Sequence, residues 1–310
     1  MSPTDRAGSG LAVEQTLDWR SPEIAGLLER ALAEDIGSGL PAKASAKAGD
    51  LTTDALFPSA IPARGTFVAS QVMVVAGLPL VEQLYARLDP GIQFRRRVEE
   101  GEQVSRQALA EVEGDGRTLL RSERTALNFL QRLSGIATLT RRFVARLEGT
   151  QAQLRDTRKT TPGLRQLEKY AVRVGGGTNH RFGLFDAVLI KENHVQLAGG
   201  VAEAVRRAKA KYSAGPAIEV EVRDPGELEE ALRAGAGLVL LDNMTVEQVD
   251  LAVEQIRGRA RVEVSGGIRL ENIRAYAECG VDYISVGALT HSAPAADISL
   301  DLVPLAQANR

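Results

Sequence analysis

Six short apolar segments alternate with helix-like segments in the second half of this chain of 310 residues, and this alternation constrains the fold more than any other feature. The apolar segments are Ala152–Thr157, Asp186–Lys191, Ala217–Val222, Leu238–Asn243, Arg261–Gly267 and Tyr283–Ala288. Helical patterns fill the intervals at Gly163–Val174, Gly199–Tyr212, Pro225–Ala234, Thr245–Arg257 and Leu270–Cys279. Strands and helices that alternate at this spacing form parallel βα units. We expect an incomplete α/β barrel of about six parallel strands, since a complete barrel has eight.

The residues before the first of these strands have a different pattern. The predicted elements are helices at Ser21–Glu34 and Ser122–Glu148, strands at Gly65–Ala76 and Ile92–Val98, and a hairpin of Ala108–Glu113 with Arg117–Leu120 across a Gly-Asp-Gly turn. After the last barrel strand, Ile298–Leu305 predicts a closing strand or helix. We therefore expect an N-terminal α+β sandwich domain at residues 21–130, to which residues 293–310 return, and an α/β-barrel domain at residues 131–292.

The predicted barrel strands end in charged residues or in glycine, with or without serine. These residues are Arg158, Lys159, Lys191, Glu221, Asp242, Ser265, Gly266, Gly267 and Gly287. In an α/β barrel the carboxyl ends of the strands converge on one face, where active sites lie. The loop GGGTNHR adds His180 and Arg181, and its glycines allow the backbone to approach a ligand closely. We expect all of these groups to surround one cavity.

The cationic members of this set predict the binding of a small anion. Arg158 and Arg181 can each hold a carboxylate or phosphate through two parallel hydrogen bonds, while Lys159 and Lys191 act as point charges. Together they suit an anion with two separate carboxylates. The alternative is that they form surface ion pairs with neighbouring acidic residues.

The acidic members, Glu221 and Asp242, require partners if they are buried. Ribose hydroxyls, Mg²⁺ or a developing positive charge would satisfy them. The alternative is an internal ion pair with Lys191 or Lys159, which would also preorganise the cavity.

Two glycine turns, SGGI and VGAL, follow the last two strands. Loops at these positions of a barrel commonly bind phosphate through main-chain N–H groups. His291 could add a donor, or could be an ordinary surface histidine. The residues together favour glycosyl transfer from a sugar phosphate to a carboxylated acceptor, with Mg²⁺ as the cofactor.

Composition excludes several other classes of function. Lys and Arg total 38 and Asp and Glu total 40, a balance that argues against a nucleic-acid partner. No apolar run approaches the roughly 18 residues of a membrane span, and the N-terminus has no apolar signal segment, so we expect a cytoplasmic protein with no membrane partner. A single cysteine excludes a multi-cysteine metal site.

Several motifs resemble those of one known family. They are EDIG, DLTT, SERTALNFLQRLSGIAT, DTRKTTPGLR, GGGTNHRFGLFDAVLIKENH, EVEV, LLDNM, SGGI and VGALTHS, and they extend from about Ile24 to Leu302. The chain resembles the quinolinate phosphoribosyltransferase family, also called nicotinate-nucleotide pyrophosphorylase (carboxylating). The resemblance implies a pentosyltransferase that joins quinolinate to phosphoribosyl pyrophosphate with Mg²⁺ and releases nicotinate mononucleotide, pyrophosphate and CO₂, a step of NAD biosynthesis.

The same resemblance implies roles for individual residues. For the quinolinate site it implies Arg158, Lys159, His180, Arg181 and Lys191, with Arg124 contributed by the other subunit of a homodimer. For binding of the ribose and the metal it implies Glu221 and Asp242. For binding of the 5′-phosphate it implies Ser265, Gly266, Gly287 and His291. Lys159 is the candidate proton donor after decarboxylation. The assembly is expected to be a dimer, with a hexamer as the alternative. One departure from the family pattern is the segment Leu40–Gly49, which separates EDIG from DLTT.

Two other interpretations stay open from the sequence. A paralogous phosphoribosyltransferase-like protein, of the kind encoded with molybdate transporters, would use a different acceptor on the same scaffold. A non-catalytic phosphate-binding barrel would bind ligands without releasing pyrophosphate. The arginine set favours quinolinate over the first, and the carboxylates Glu221 and Asp242 favour an enzyme over the second.

Overall fold

The computed structural model describes residues 17–37, 49–212 and 217–305. The elements up to residue 146 are α1 (Pro22–Ile36), α2 (Leu51–Leu56), β1 (Pro62–Ala69), β2 (Val72–Val74), α3 (Leu78–Leu88), β3 (Gln93–Arg96), β4 (Gln103–Ser105), β5 (Ala108–Asp115) and α4 (Gly116–Arg146). They are followed by β6 (Gln153–Arg155), α5 (Arg165–Val174), β7 (Val188–Ile190), α6 (Glu192–Ala198), α7 (Val201–Lys211), β8 (Ile218–Val222), α8 (Pro225–Arg233), β9 (Leu238–Asp242), α9 (Val246–Ile256), β10 (Arg261–Ser265), α10 (Ile273–Glu278), β11 (Tyr283–Ser285), α11 (Ala288–His291) and β12 (Ile298–Pro304). Among the described helices, none combines the length and apolar character that a membrane crossing requires.

The described residues divide into two compact units. The barrel unit consists of Thr140–Arg165 and Gly176–Ser292, and the N-terminal unit consists of residues 17–139, 166–175 and 293–305. Helix α4 contributes residues to both units. Almost all of α5 belongs to the N-terminal unit, although its place in the sequence is between two barrel strands.

The barrel unit contains the expected six parallel strands, in the order β6-β11-β10-β9-β8-β7. Apolar strands such as β9, buried along four of its five residues, fit a sheet covered on both faces.

Helix α8 illustrates how the connecting helices are delimited. Asp224 accepts the main-chain N–H groups of Gly226 and Glu227, Pro225 is the first helical residue, and Gly235 follows the helix with a φ of 78°.

The two edge strands of this sheet, β6 and β7, are connected by the segment Thr178–Arg181. Thr178 forms a parallel bridge with Arg155 of β6, and its main-chain N–H donates to Leu154 at 2.8 Å. At the other end, the guanidinium of Arg181 donates to the carbonyl of Ala187, which immediately precedes β7, at 3.1 Å. The segment that carries His180 and Arg181 is therefore anchored to both edges of the incomplete barrel.

The N-terminal unit is built on an antiparallel sheet with the order β12-β1-β5-β3. Buried residues alternate along β1, as expected of a strand with one face on a core. Phe67 of β1, Tyr85 of α3 and Phe94 of β3 form an aromatic cluster with ring centroids 6.1–6.3 Å apart. The predicted closing segment is a strand, β12, which pairs with β1.

Helix α5 contacts other parts of the N-terminal unit through several side chains, among them Tyr170 and Glu168, which pairs with Arg132 at 2.7 Å. The hydroxyl of Tyr170 donates to the half-buried carboxylate of Glu100 at 2.5 Å, and the same carboxylate accepts the main-chain N–H groups of Gly77 and Leu78. The ring of Trp19 lies edge-on to the ring of Tyr170, with centroids 4.8 Å apart. Burial followed by the negative charge of Glu100 raises the pKa of Tyr170.

Two of the sequence predictions for this unit are wrong. The predicted hairpin across Gly-Asp-Gly is a single strand, β5, that leads directly into α4 at Gly116. Asp115 accepts the main-chain N–H groups of Arg117 and Ile61, so it stabilises the strand-to-helix junction rather than a hairpin turn. The predicted strand Gly65–Ala76 is two strands, since β1 pairs with β5 and β12 whereas β2 pairs with β4. The inserted segment, apart from Gly49, lies outside the described residues.

Close packing at Gly135 of α4 yields a stability prediction. A Cβ at this position would overlap the carbonyl oxygen of Pro294 and lie 3.1 Å from its carbonyl carbon. Gly→Ala within a helix normally stabilises by about 1 kcal/mol. We expect Gly135→Ala to destabilise instead, by about 2–3 kcal/mol, because the clash is with backbone. Urea unfolding measures the change. Gly237→Ala is the control, since no atom of the described residues lies within 4 Å of its added Cβ; equal midpoints for the two variants would contradict the prediction.

Candidate active site

A cavity of about 470 Å³ lies among the carboxyl ends of the barrel strands. Ten of the twelve sequence-predicted site residues line it: Arg158, Lys159, His180, Arg181, Lys191, Asp242, Ser265, Gly266, Gly287 and His291. Glu221 is next to this lining, where its carboxylate contacts Lys191 at 3.0 Å. Arg124 is not part of the lining; it lies on α4 in the N-terminal unit, and its side chain is exposed.

The cationic side of the cavity carries more positive charge than its neighbours balance. Among the described residues, no carboxylate lies within ion-pair distance of Arg158, Lys159 or Arg181. Arg181 is 5% exposed. Burial, followed by the positive charge of Arg158, lowers the pKa of Arg181. An anion placed between these groups would relieve their repulsion, so the surface ion-pair alternative does not apply to these three residues.

The acidic side is formed by Glu221 and Asp242. The ion pair between Lys191 and Glu221 is the internal pairing that the sequence left open. Asp242 accepts the side-chain amide of Asn243 at 2.6 Å. Burial and then the charge of Glu221 raise the pKa of Asp242, although Asn243 and the nearby lysines act in the opposite direction. Two mutually repelling carboxylates at the edge of a cavity are a donor set that fits a hard divalent cation such as Mg²⁺.

The turn after β10 offers main-chain donors to the cavity. Gly266 has a φ of 92° and Gly267 a φ of 65°, and a Cβ on Gly266 would overlap the amide of Asn243, so the turn requires glycine. Within the described part of the chain, the N–H groups of Gly266, Gly267 and Gly287 have no acceptor. Unpaired main-chain N–H groups around a cavity suit a phosphate.

The turn after β11 fixes Lys159. A Cβ on Gly287 would lie 3.1 Å from Cδ of Lys159 and 3.2 Å from the ring of His291, so this position favours glycine. The hydroxyl of Thr290 donates to the carbonyl of Lys159 at 2.8 Å. The VGALTHS motif thus supports the backbone of Lys159 in addition to lining the cavity.

A buried polar network beneath the cavity was not predicted from the sequence. Glu263 accepts hydrogen bonds from Arg155 at 2.8 Å and from Ser285 at 2.5 Å. Nε2 of His180 lies 3.0 Å from Glu219 and 3.4 Å from Glu263. Arg155 also stacks on the ring of Tyr283, with its guanidinium carbon 3.2 Å from the ring centroid.

The network contains the only group of three or more His, Cys, Asp or Glu residues in the described chain whose donor atoms, all within 4.8 Å of one another, could hold a metal ion: His180, Glu219 and Glu263. The guanidinium of Arg155 already supplies a positive charge at Glu263. We therefore interpret the group as a buried ion-pair network, distinct from the half-buried pair Glu221 and Asp242.

The charge state of His180 reflects competing influences. Burial disfavours the charged imidazolium, but the hydrogen bond to Glu219 and the charges of Glu263 and Glu219 outweigh burial and raise the pKa of His180. The main-chain N–H of Arg181, 2.7 Å from Nδ1, acts against protonation because it needs the Nδ1 lone pair.

A signal for this network exists in the sequence. The segment IEVEV places Glu219 and Glu221 two residues apart, hence on the same face of β8. Glu263 and Ser265 have the same spacing in β10. Charged or polar residues at alternate positions of a buried parallel strand indicate that the barrel interior is polar. The residues at the strand ends do not by themselves give this indication.

Known proteins are similar to this chain in sequence. The sequence profile of the quinolinate phosphoribosyl transferase N-terminal domain matches residues 50–134, and that of the C-terminal domain matches residues 136–301. The chain is 44% identical over 283 residues to a nicotinate-nucleotide pyrophosphorylase (carboxylating) of Mycobacterium leprae, covering 89% of this chain and 95% of that one. It is 40% identical over 277 residues to a probable nicotinate-nucleotide pyrophosphorylase (carboxylating) of Bacillus subtilis, covering 89% and 92%.

Solved structures of similar proteins have the same fold as this chain. The crystal structure of NadC from Streptococcus pyogenes superimposes with a TM-score of 0.85 at 39% identity, covering 94% of this chain and all of that one. A nicotinate-nucleotide pyrophosphorylase from Francisella tularensis gives a TM-score of 0.83 at 39% identity, with 93% and 98% covered. With both domain profiles matched and relatives similar over nearly their full lengths, the chain belongs to the quinolinate phosphoribosyltransferase family.

Proposed function

We propose that this chain transfers the phosphoribosyl group of phosphoribosyl pyrophosphate to quinolinate with decarboxylation. The products are nicotinate mononucleotide, pyrophosphate and CO₂, and the reaction belongs to NAD biosynthesis. Relatives whose names state this activity align along almost the whole chain, including one described as a quinolinate phosphoribosyltransferase (decarboxylating) from Nicotiana tabacum at 37% identity.

The observation that carries this function is the unbalanced positive charge in the cavity. Arg158 and Arg181 repel one another there, and neither has a carboxylate partner among the described residues. Quinolinate carries two carboxylates on adjacent ring carbons, so one guanidinium for each carboxylate matches the substrate in both charge and shape. A monoanionic acceptor would leave part of this charge unpaired.

The chain's own residues act mainly by positioning the substrates. The ring nitrogen of quinolinate forms a bond to C1 of the ribose while the bond between C1 and pyrophosphate breaks. The nitrogen is then cationic, and it stabilises the electron pair left on the adjacent carbon when CO₂ departs. Glu221 and Asp242 would stabilise positive charge on the ribose, and the N–H groups of Gly266, Gly267 and Gly287 would bind the 5′-phosphate with Ser265 and His291.

Mg²⁺ fits the acidic side of the cavity as the proposed cofactor. Asp242 and Glu221 would hold it, either directly or through water or substrate. When bound, the ion neutralises the charge of the departing pyrophosphate. A cytoplasmic location also stays a prediction.

We propose Lys159 as the donor of the proton that replaces CO₂. Its side chain lines the cavity without a carboxylate partner in the described part of the chain, Thr290 holds its main-chain carbonyl, and the absence of a Cβ at Gly287 leaves room for its side chain. Lys159→Ala is expected to lower kcat about 100-fold with saturating substrates, a typical effect of losing a general acid. Lys159→Arg is the control: it keeps the charge but releases a proton poorly, so KM for quinolinate should stay near wild type while kcat remains low. Near-normal turnover of Lys159→Ala would exclude this role.

We further propose a homodimer in which Arg124 serves the partner's cavity, with a hexamer as the alternative assembly. Arg124 is exposed on α4 and does not line the cavity of its own barrel unit. Arg124→Ala and Arg181→Ala proteins should each be nearly inactive, and mixing them with subunit exchange should restore activity, up to one quarter of wild type if half the subunits pair as hybrids with one intact site. Size-exclusion chromatography of tagged hybrids checks the exchange. No recovery in verified hybrids would contradict a shared site.

One assay tests the function itself. Purified protein, quinolinate, phosphoribosyl pyrophosphate and Mg²⁺ are mixed, and nicotinate mononucleotide and pyrophosphate are both followed. Nicotinate replaces quinolinate in the control, because it lacks the second carboxylate. Turnover of another acceptor but not quinolinate would identify the paralogous activity, and substrate binding without pyrophosphate release would identify a non-catalytic barrel.

A further inference from the structure

Glu219 is a buried acid with no role in the reaction outlined above. Its side chain is fully buried in β8, and one carboxylate oxygen, Oε1, has no hydrogen-bond partner among the residues that the structure describes. The other oxygen, Oε2, lies 3.0 Å from Nε2 of His180. An unsatisfied buried carboxylate oxygen costs about 1–3 kcal/mol or more, so an apolar residue would give a more stable barrel interior. Its presence therefore indicates a role that depends on the contact with His180.

The second ring nitrogen of His180 is also engaged. Nδ1 lies 2.7 Å from the main-chain nitrogen of Arg181, whose N–H points at it. Since that N–H needs an acceptor, the contact assigns the proton of the neutral ring to Nε2, directed at Glu219, and leaves Nδ1 without one. The two contacts depend on each other, because a carboxylate at Nε2 selects the tautomer that frees Nδ1 to accept.

His180 is held in this position from its other side as well. Its main-chain N–H donates to Oδ1 of Asp156 at 2.9 Å, and Asp156 is itself buried. The ring therefore cannot shift without breaking contacts at both nitrogens and at the main chain.

The contacts of Glu219 and His180 determine the position of Arg181. Its main chain is fixed by His180, and its NH1 group is fixed by the carbonyl of Ala187 at 3.1 Å. The side chain is thus anchored at both ends, and the remaining guanidinium N–H groups stay available to the cavity that it lines. Recognition of a planar carboxylate by a guanidinium requires a fixed direction, so the contacts at both ends prepare Arg181 for this task.

We propose that Glu219 is a positioning residue of the quinolinate site, which acts through His180 to fix the backbone of Arg181 and hence the direction of its guanidinium. This rests on the proposed function for the identity of the anion. His180 then serves the substrate through Arg181, since both of its ring nitrogens are used within the chain. Glu263 differs from Glu219 because Arg155 and Ser285 satisfy its carboxylate.

The test compares two variants of similar size. Glu219→Leu removes the acceptor without leaving a large cavity, and Glu219→Gln keeps an oxygen that can accept the Nε2 proton. We expect Glu219→Leu to raise KM for quinolinate at least about tenfold and KM for phosphoribosyl pyrophosphate less than about twofold, and Glu219→Gln to stay within about threefold for both. Equal increases in both constants, or a loss in Glu219→Gln as large as in Glu219→Leu, would overturn the proposal.

A double-mutant cycle separates positioning from general structural damage. If Glu219 acts through His180, Glu219→Leu should cause no further rise in the KM for quinolinate when it is added to His180→Ala. Independent, multiplying effects would show that the two residues do not act in series.

A third measurement does not depend on turnover or on stability of the variants. The chain has three histidines, so NMR of the ring nitrogens can be assigned with a single His180→Gln protein. At a pH high enough for the ring to be neutral, we expect His180 to carry its proton on Nε2; a neutral ring protonated on Nδ1 would overturn the proposal. If instead the wild-type protein shows this tautomer but forms no nicotinate mononucleotide, the proposed function fails and the contact network stands.

Discussion

Replacing Arg181 with methionine is expected to lower kcat/KM for quinolinate about 1000-fold. Arg181 is nearly buried, its positive charge is destabilised by burial and by Arg158, and no carboxylate of the described chain balances it. A substrate carboxylate that occupies this position loses a desolvated, hydrogen-bonded partner in the variant. Such a loss amounts to about 4 kcal/mol, which corresponds to three orders of magnitude.

Initial rates at varied quinolinate concentrations measure this effect, with phosphoribosyl pyrophosphate saturating. Arg181→Lys should fall between the wild type and the methionine variant, because lysine keeps the charge but cannot form two parallel hydrogen bonds. Arg207→Met is the matched control in the same unit; Arg207 is exposed on α7 and pairs with Glu203. A value for Arg181→Met within about threefold of the control would show that the cavity does not hold a substrate carboxylate at this position.

Replacing Arg155 with methionine is expected to destabilise the protein by about 3–5 kcal/mol. The side chain of Arg155 is 3% exposed, pairs with the fully buried Glu263 and covers the ring of Tyr283. Without its guanidinium, Glu263 and the neighbouring Glu219 become buried acids whose partners among the described residues are His180 and the hydroxyl of Ser285. An uncompensated buried charge is far more costly than the loss of the packing contact itself.

Urea unfolding at neutral pH measures the change. The double variant Arg155→Met/Glu263→Gln should recover most of the loss, because it removes the charge that the first substitution leaves unpaired. Arg233→Met removes an exposed partner of Glu229 and should leave the unfolding midpoint almost unchanged. If Arg155→Met shifted the midpoint no more than Arg233→Met does, the interior network would contribute little to stability.

The barrel was predictable because its strands carry strong local signals. Short apolar segments such as the LVLL of β9 are typical of strands covered on both faces, and caps such as Asp224 with Pro225 mark where helices begin. Their order then determines which residues meet at the carboxyl end of the sheet. For this reason the strand-final residues led directly to the cavity.

The N-terminal unit was less predictable because long-range pairing decides its structure. The Gly-Asp-Gly sequence is a common hairpin turn, yet the helical periodicity of α4 extends back to Gly116 and outweighs the turn signal. The pairing of β12 with β1 joins residues more than 200 positions apart, and no local pattern specifies it. Arg124 could be proposed as a site residue only through the family resemblance, since nothing in its local sequence relates it to a cavity.

The interior network illustrates a different limit. Glu219 and Glu263 are not at strand ends, so a search of strand ends does not find them, although the alternation IEVEV contains the necessary information. What the sequence does not give is the order of contacts from Glu219 through His180 to Arg181, because these residues come from a strand and from a separate loop. Such relays are evident only from three-dimensional coordinates.

The contact between Trp19 and Tyr170 has a practical consequence. Trp19 is the sole tryptophan of the chain, and both rings of this pair belong to the N-terminal unit. Emission excited selectively at tryptophan therefore reports the loss of structure in that unit, whereas far-ultraviolet circular dichroism reports helices of both. If the two optical signals change together during denaturation, both units unfold in one cooperative transition. If the emission changes first, the barrel unit stays folded after the N-terminal unit has unfolded.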